Sequence, residues 1–66
     1  MLAHEWDARD VAIVAMLARN AGREEIAREL GCSAATVDRR TSALRRRLGV
    51  RTTIQVIVQA VREGIV

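Results

Sequence analysis

Residues 23–50 read REEIARELGCSAATVDRRTSALRRRLGV, and this stretch decides the fold. It contains a short amphipathic segment, a turn that begins at Gly31, and a longer segment whose outer positions fill with arginine. This order is typical of a helix-turn-helix, in which the first helix braces the second against a nucleic-acid duplex. The second helix then presents its N-terminal half to base edges in the major groove. The stretch predicts sequence-specific binding of double-stranded DNA.

The chain has 66 residues, which fit one domain with a single small core. Each of its four glycines follows a stretch of helical periodicity, and glycine is the favoured left-handed residue just past a helix end. These glycines are Gly22, Gly31, Gly49 and Gly64. They predict four helices, at about residues 7–20, 23–30, 33–48 and 52–63. We therefore expect one all-α, four-helix domain over residues 1–66, with the third helix for recognition and the fourth for dimerisation.

Apolar spacing predicts the buried faces of the first two helices. The inward positions are Val11, Ile13, Val14, Leu17 and Ala18 in the first helix, and Ile26, Ala27 and Leu30 in the second. Trp6, the only aromatic residue, precedes the predicted capping residue Asp7 and is expected to close over the core. Cys32, in the turn, is expected to be a small buried residue rather than a reactive thiol.

The fourth segment, IQVIVQAV at residues 54–61, is rich in β-branched residues and resembles a strand as much as a helix. We predict a helix because the chain has no second strand to pair with it and because Thr52 is a suitable N-cap. The expected inward positions are Ile54, Ile57, Val58, Val61 and Ile65. Val56 and Ala60, with Gln59 and Glu63 beside them, then lie on another side as apolar surface that the core does not cover.

Positive charge is concentrated in one segment. All eleven basic residues are arginine, against eight acidic residues, and residues 38–51 hold six arginines and one aspartate, a local net charge of +5. A helix surface that only faces solvent would have acidic residues mixed among the arginines. A surface with positive charge alone attracts a polyanion to that face. A basic helix on a membrane surface is the less favoured alternative. The charge pattern indicates nucleic acid.

The third helix is expected to turn Val37, Thr41, Leu44 and Leu48 inward and to read DNA with its opposite face. The predicted base-reading residues are Ala35, Asp38, Arg39 and Ser42. Arginine pairs bidentately with guanine, and an alanine methyl contacts the thymine methyl. Two roles stay open for Asp38, which either accepts from cytosine N4 or orients Arg39 or an adjacent arginine.

Further polar residues beside this face are expected to contact phosphates, which set register and affinity but carry little sequence information. The predicted phosphate contacts are Arg23, Thr36, Arg40, Arg45, Arg46, Arg47 and Arg51.

Little in the sequence suggests catalysis or a cofactor. His4 and Cys32 make no credible metal set, no nucleophile-base arrangement exists, and glycine-rich phosphate loops are absent. We expect no enzyme activity, no metal, no cofactor and no small-molecule site. The chain has no apolar run of 18 residues and no charged-then-apolar leader, so we expect a cytoplasmic protein without a membrane partner.

Three motifs in order resemble the LuxR-type helix-turn-helix domain of bacterial transcription regulators. They are WDARD at residues 6–10, EEIARELGCS at 24–33 and TVDRRTSALRRRLGV at 36–50. The resemblance implies a base-reading role for Asp38, Arg39 and Ser42. Arg40 stands where the family usually has histidine and Asp38 where lysine is frequent, so the usual operator is not expected.

The resemblance also implies a homodimer, paired through the fourth helix on a partly palindromic operator. The pairing role would fall on Val56, Gln59, Ala60 and Glu63. Family members normally carry a sensing or receiver domain before this module, so the chain is expected to be either the C-terminal domain of a regulator or a free-standing one.

Two other classes are weighed against this interpretation. A σ-factor region 4-like module would use a similar helix-turn-helix on a promoter while docking on RNA polymerase, but the LGV ending and the apolar fourth helix argue against it. A small helical module that binds an acidic protein or RNA is the second alternative. Single-stranded RNA binders usually supply stacking aromatic residues, and this chain has only Trp6.

Overall fold

The computed structural model describes residues 5–66, which form four α-helices and no strand. The helices are α1 at Ala8–Ala18, α2 at Arg23–Leu30, α3 at Ala34–Leu48 and α4 at Thr53–Arg62. The predicted all-α class is confirmed, and the predicted bounds hold within two residues once the cap residues are counted. His4, named above among possible metal and catalytic groups, lies outside the described residues.

Three helices begin at a side-chain cap. The carboxylate of Asp7 accepts the backbone N–H of Asp10 at 2.8 Å, and Ser33 Oγ accepts that of Thr36 at 3.1 Å. At α4, Thr52 Oγ1 accepts the N–H of Gln55 at 3.1 Å while Gln55 Oε1 accepts that of Thr52 at 3.0 Å. This reciprocal capping box satisfies two N–H groups that lack intrahelical partners, and it stabilises the β-branched segment as a helix.

The glycine prediction is right after α2, α3 and α4 and wrong after α1. Gly31, Gly49 and Gly64 adopt left-handed backbone angles with φ of 67°, 71° and 73°. Gly22 instead has φ of −80° and is the N-cap of α2. The left-handed residue after α1 is Asn20, with φ of 68°. Asparagine tolerates this conformation because its short polar side chain can bond locally, so the chain leaves α1 before the glycine.

Two clusters of buried side chains make up the core, and α3 contributes to both. One cluster contains Ile13, Met16, Ile26, Ala27 and Val37, from α1, α2 and α3. The other contains Val14, Leu44, Val56 and Ala60, from α1, α3 and α4. Because both clusters hold the inner side of α3, its outer side is fixed relative to the other three helices.

The buried face of α1 differs from the predicted stripe. Ile13 and Val14 are fully buried as expected, but Ala18 is exposed, while Met16 and the carboxylate residue Asp10 are buried. The cause is that α1 packs against α2 on one side and α4 on another, so its buried arc is wider and rotated relative to a single apolar stripe.

Trp6 and Cys32 lie near their predicted positions. Trp6 is half-buried against the cluster shared by α1, α3 and α4, as expected of a residue that closes over the core. Its indole Nε1 donates to Glu63 Oε1 at 2.9 Å, which joins the N-terminal segment to the end of α4. Cys32 packs against the other cluster but is half-buried rather than buried.

The predicted faces of α4 are largely exchanged in the structure, although Ile57 and Ile65 pack against the core as expected. Val56 and Ala60, expected on the pairing surface, are 0% exposed and pack against Val14 and Leu44. The expected inward residues Ile54, Val58 and Val61 are 73%, 43% and 57% exposed. Apolar residues surround most of α4, so spacing alone did not single out the inner side. The small Ala60 side chain lets α4 approach the core closely, whereas a face of three branched side chains does not.

Gln59 and Glu63, the other two residues expected to pair subunits, are half-buried and bonded within the chain. Gln59 Nε2 donates to Glu63 Oε2 at 2.7 Å, and Glu63 also accepts from the indole of Trp6. The predicted pairing surface is therefore wrong for Val56 and Ala60, which are core residues. The pairing role of Gln59 and Glu63 stays a prediction.

Candidate nucleic-acid interface

The outer face of α3 forms as the helical spacing predicted. Val37, Thr41 and Leu44 are buried, and the buried hydroxyl of Thr41 donates a hydrogen bond to the carbonyl of Val37 at 2.8 Å. On the opposite side, the residues predicted to read bases are accessible: Ala35, Asp38 and Arg39 are exposed, and Ser42 is half-exposed. This face lies along the N-terminal half of α3, the part that a helix-turn-helix presents to a duplex.

Arg39 is held in place by hydroxyl groups at the start of α3. Its Nη2 donates to Thr36 Oγ1 at 3.1 Å, and the Thr36 hydroxyl lies 3.0 Å from that of Ser33, the N-cap. Thr36, predicted to contact phosphate, thus positions the guanidinium of the main candidate reading residue. The contribution of Ser33 was not predicted, although its place three residues before Thr36 on the helix end is a local signal.

The partner of Asp38 is Arg23, the first residue of α2. Arg23 Nε donates to Asp38 Oδ1 at 3.0 Å and Nη2 donates to Oδ2 at 2.6 Å, so the two groups meet as a two-pronged pair. These hydrogen bonds hold the pKa of Asp38 below its ordinary value and raise that of Arg23. The sequence left open whether Asp38 reads cytosine or orients Arg39 or an adjacent arginine; in the structure its side chain accepts hydrogen bonds from Arg23, fifteen residues earlier.

Arg40 and Arg47 are bound to the carboxylates of the N-terminal segment. Arg40 Nη1 lies 3.2 Å from Asp10 Oδ1 and 3.4 Å from Asp7 Oδ2, and Arg47 Nη2 lies 3.4 Å from Asp10 Oδ2. Asp10 is only 6% exposed, so these contacts compensate a buried charge and tie α1 to α3. Sequence reasoning missed this role of Asp10.

Arg45 bridges α3 and α4. It donates to Ser42 Oγ at 2.9 Å and to Thr53 Oγ1 at 3.3 Å, the latter on the first residue of α4. The contact fixes where the arginine lies beside the reading face, and it engages the Ser42 hydroxyl that was predicted to contact a base. A cleft of about 250 Å³ is lined here by Leu17, Arg23, Val37, Asp38, Thr41, Ser42, Arg45 and Thr53.

The predicted phosphate-contacting arginines fall into two groups. Arg23, Arg40 and Arg47 form ion pairs with carboxylates. Among residues 5–66 no ion pair involves Arg45, Arg46 or Arg51, nor Arg39, which is predicted to read a base. The uncompensated positive charge of the interface therefore comes from these four residues.

Within the described part of the chain, no three His, Cys, Asp or Glu side chains are grouped so as to hold a metal ion. No described helix has the length and apolar character needed to cross a bilayer.

These features define the class of protein. A short helix, a left-handed glycine turn and a longer helix with an accessible, arginine-rich outer face form a helix-turn-helix of the nucleic-acid-binding type. The GerE family model, which describes bacterial regulatory proteins of the luxR family, matches residues 8–60. The chain belongs to the luxR family and is a DNA-binding domain of a transcription regulator. Searches of curated proteins and of solved structures found no match.

Proposed function

We propose that this domain recognises a preferred duplex sequence by inserting the N-terminal half of α3 into the major groove. The observation that carries the proposal is the placement of Arg39, which is exposed on the outer face of α3 and held by Thr36 near the start of that helix. A guanidinium oriented in this way suits the bidentate pairing with guanine O6 and N7. Ala35 supplies a methyl group on the same face.

Phosphate contacts in this proposal come mainly from Arg45, Arg46 and Arg51, which have no carboxylate partner within residues 5–66. Each phosphate neutralised contributes about 0.9 to the slope of log affinity against log salt. Three contacts give a slope of about −2.7 per protomer, whereas all six predicted phosphate-contacting arginines would give about −5.4. The salt dependence of binding therefore separates the structure-based count from the count based on sequence.

We further propose that two copies pair through a ridge on α4 formed by Ile54, Val58 and Val61. These residues recur at i, i+4 and i+7, so they form one exposed apolar stripe. A second copy would cover this stripe and add burial to a core that is small for an independent domain. Two reading helices related by a two-fold axis would then meet half-sites about 10 bp apart on a partly palindromic operator.

In vitro selection of bound DNA from a random duplex pool tests the proposal, because it reports affinity, symmetry and half-site spacing together. We expect an enriched motif with two related halves. Repeating the selection with Arg39→Ala should relax one base preference and cost about 1–3 kcal/mol at the selected site. Arg62→Ala, which removes the same charge from the last turn of α4, should leave the motif unchanged. A pool with no enriched motif, or equal losses on every sequence, would contradict base reading.

A further inference from the structure

The ion pair between Arg23 and Asp38 is more exposed than the two pairs that Asp10 makes. Asp10 is buried, and its contacts with Arg40 and Arg47 compensate a charge that has left water. The side chains of Arg23 and Asp38 are 52% and 53% exposed. Exposed pairs contribute little to fold stability because water already solvates both groups. The bidentate pair between Arg23 and Asp38 therefore contributes little to holding α2 against α3.

The pair lies where DNA would approach. Asp38 is the residue directly before Arg39 on the outer face of α3, and Arg23 is the first residue of α2. A lone carboxylate at this place would repel phosphates, and a lone guanidinium would attract one. Both carboxylate oxygens of Asp38 already accept an N–H from Arg23, so each charge cancels the other on the surface that faces the duplex.

Building on the proposed function, we propose that Asp38 masks Arg23, so that the two residues meet DNA as a neutral unit and Arg23 makes no phosphate contact. The mask lowers the sequence-independent part of the affinity, which phosphate contacts supply, and leaves the base contacts of Arg39 unchanged. Two other roles would give different results. If Asp38 read cytosine, its loss would alter one base preference. If Asp38 held Arg23 against a phosphate, its loss would weaken binding.

The test measures binding to a mixed-sequence duplex of about 20 bp over a range of salt concentrations, with the wild type, Asp38→Asn and the double variant Arg23→Gln/Asp38→Asn. Asp38→Asn removes the bidentate partner of Arg23 and leaves only the longer, 3.5 Å contact with the exposed Glu24. It should therefore tighten binding several-fold and steepen the salt slope by about 0.9, the value of one phosphate contact. The double variant should return to the wild-type affinity and slope, because a neutral pair has been replaced by neutral side chains. Selection with Asp38→Asn should return the wild-type motif.

Glu24→Gln is the matched control. Glu24 Oε2 lies 3.5 Å from Arg23 Nη1, so this substitution removes one negative charge beside the same arginine. It leaves the ion pair between Arg23 and Asp38 intact. If Glu24→Gln steepened the salt slope as much as Asp38→Asn, the effect would come from net charge alone, and the masking of Arg23 by Asp38 would be overturned. A shallower or unchanged slope in Asp38→Asn, or a changed base preference, would also overturn it. Asp38→Ser gives the same test with a second side chain, and circular dichroism verifies the fold.

Failure of the mask and failure of the proposed function are distinguishable. If the wild type binds a selected motif and Asp38→Asn behaves like Glu24→Gln, the proposed function stands and the masking of Arg23 by Asp38 is wrong. A wild type that binds no duplex at low salt overturns both.

Discussion

Replacing Val56 by alanine tests which side of α4 closes the core, and Val58→Ala is its matched control on the same helix. Val56 is 0% exposed and packs with Val14, Leu44 and Ala60, whereas Val58 is 43% exposed. Both substitutions remove the same two carbon groups, so any difference between them reports on burial. The faces predicted from sequence would give the opposite ranking, with Val58 as the core residue.

The expected magnitude follows from the packing. Loss of two buried carbon groups costs about 1.6 kcal/mol at about 0.8 kcal/mol each. The cavity left behind adds on the order of 1 kcal/mol, while the better helix propensity of alanine returns about 0.6 kcal/mol. The net loss for Val56→Ala is about 2 kcal/mol. A loss of 1 kcal/mol lowers the melting temperature of a domain of this size by about 4–8 °C, so Val56→Ala should lower it by roughly 8–16 °C. The loss is large beside a total stability of about 3–5 kcal/mol.

Val58→Ala should leave the free energy of unfolding of the monomer within about 0.5 kcal/mol of the wild type, because little burial is lost and helix propensity improves. Urea unfolding followed by circular dichroism measures both variants, at a dilution where sedimentation shows monomers so that pairing does not contribute. Equal destabilisation by the two substitutions, or a larger loss for Val58→Ala, would refute the assignment of the α4 faces.

Three further results are expected. Arg46→Ala should reduce the magnitude of the salt slope of DNA binding by about 0.9, as the loss of one phosphate contact requires, while Arg62→Ala should not. Ile54→Glu should lower self-association in sedimentation without changing the circular dichroism spectrum, since it charges the exposed ridge of α4; an unchanged oligomeric state would count against that ridge. The N–H of Asp10 holds the pKa of Asp7 below its ordinary 3.8, so Asp7 stabilises the fold above that pH and ceases to as the pH falls through its folded pKa. Asp7→Ala should therefore lower the melting temperature more at neutral pH than at acidic pH below 3.8; a constant difference would contradict this linkage.

The exposed face of α3 could be predicted from sequence because α3 is a helix with a single narrow apolar stripe. Once Val37, Thr41 and Leu44 point inward, the positions of Asp38 and Arg39 on the outer side follow from helix geometry. The same reasoning was wrong for α4. Apolar residues lie on most sides of that helix, so several stripes were compatible with its spacing, and only packing against Leu44 selected one.

Which arginines of α3 form ion pairs with carboxylates could not be predicted from the sequence either. All of them carry the same charge in the sequence, and helix position, which places Arg46 opposite the apolar stripe and Arg47 beside it, does not say which one meets a carboxylate. In the structure, Arg47 contacts Asp10, a residue 37 positions earlier, while Arg46 has no ion pair within residues 5–66. The number of arginines available to phosphates therefore depends on contacts between helices.

The order of residues along this chain determined what local forces decide: four helices, their caps at Asp7, Ser33 and Thr52, and the orientation of α3. Each of these depends on neighbours within about one helical turn, where spacing and capping act. Only the tertiary structure decided the buried side of α4 and the partners of the arginines. Those outcomes depend on which helices meet, and the free energy of such contacts comes from burial and charge pairing between residues far apart in the chain.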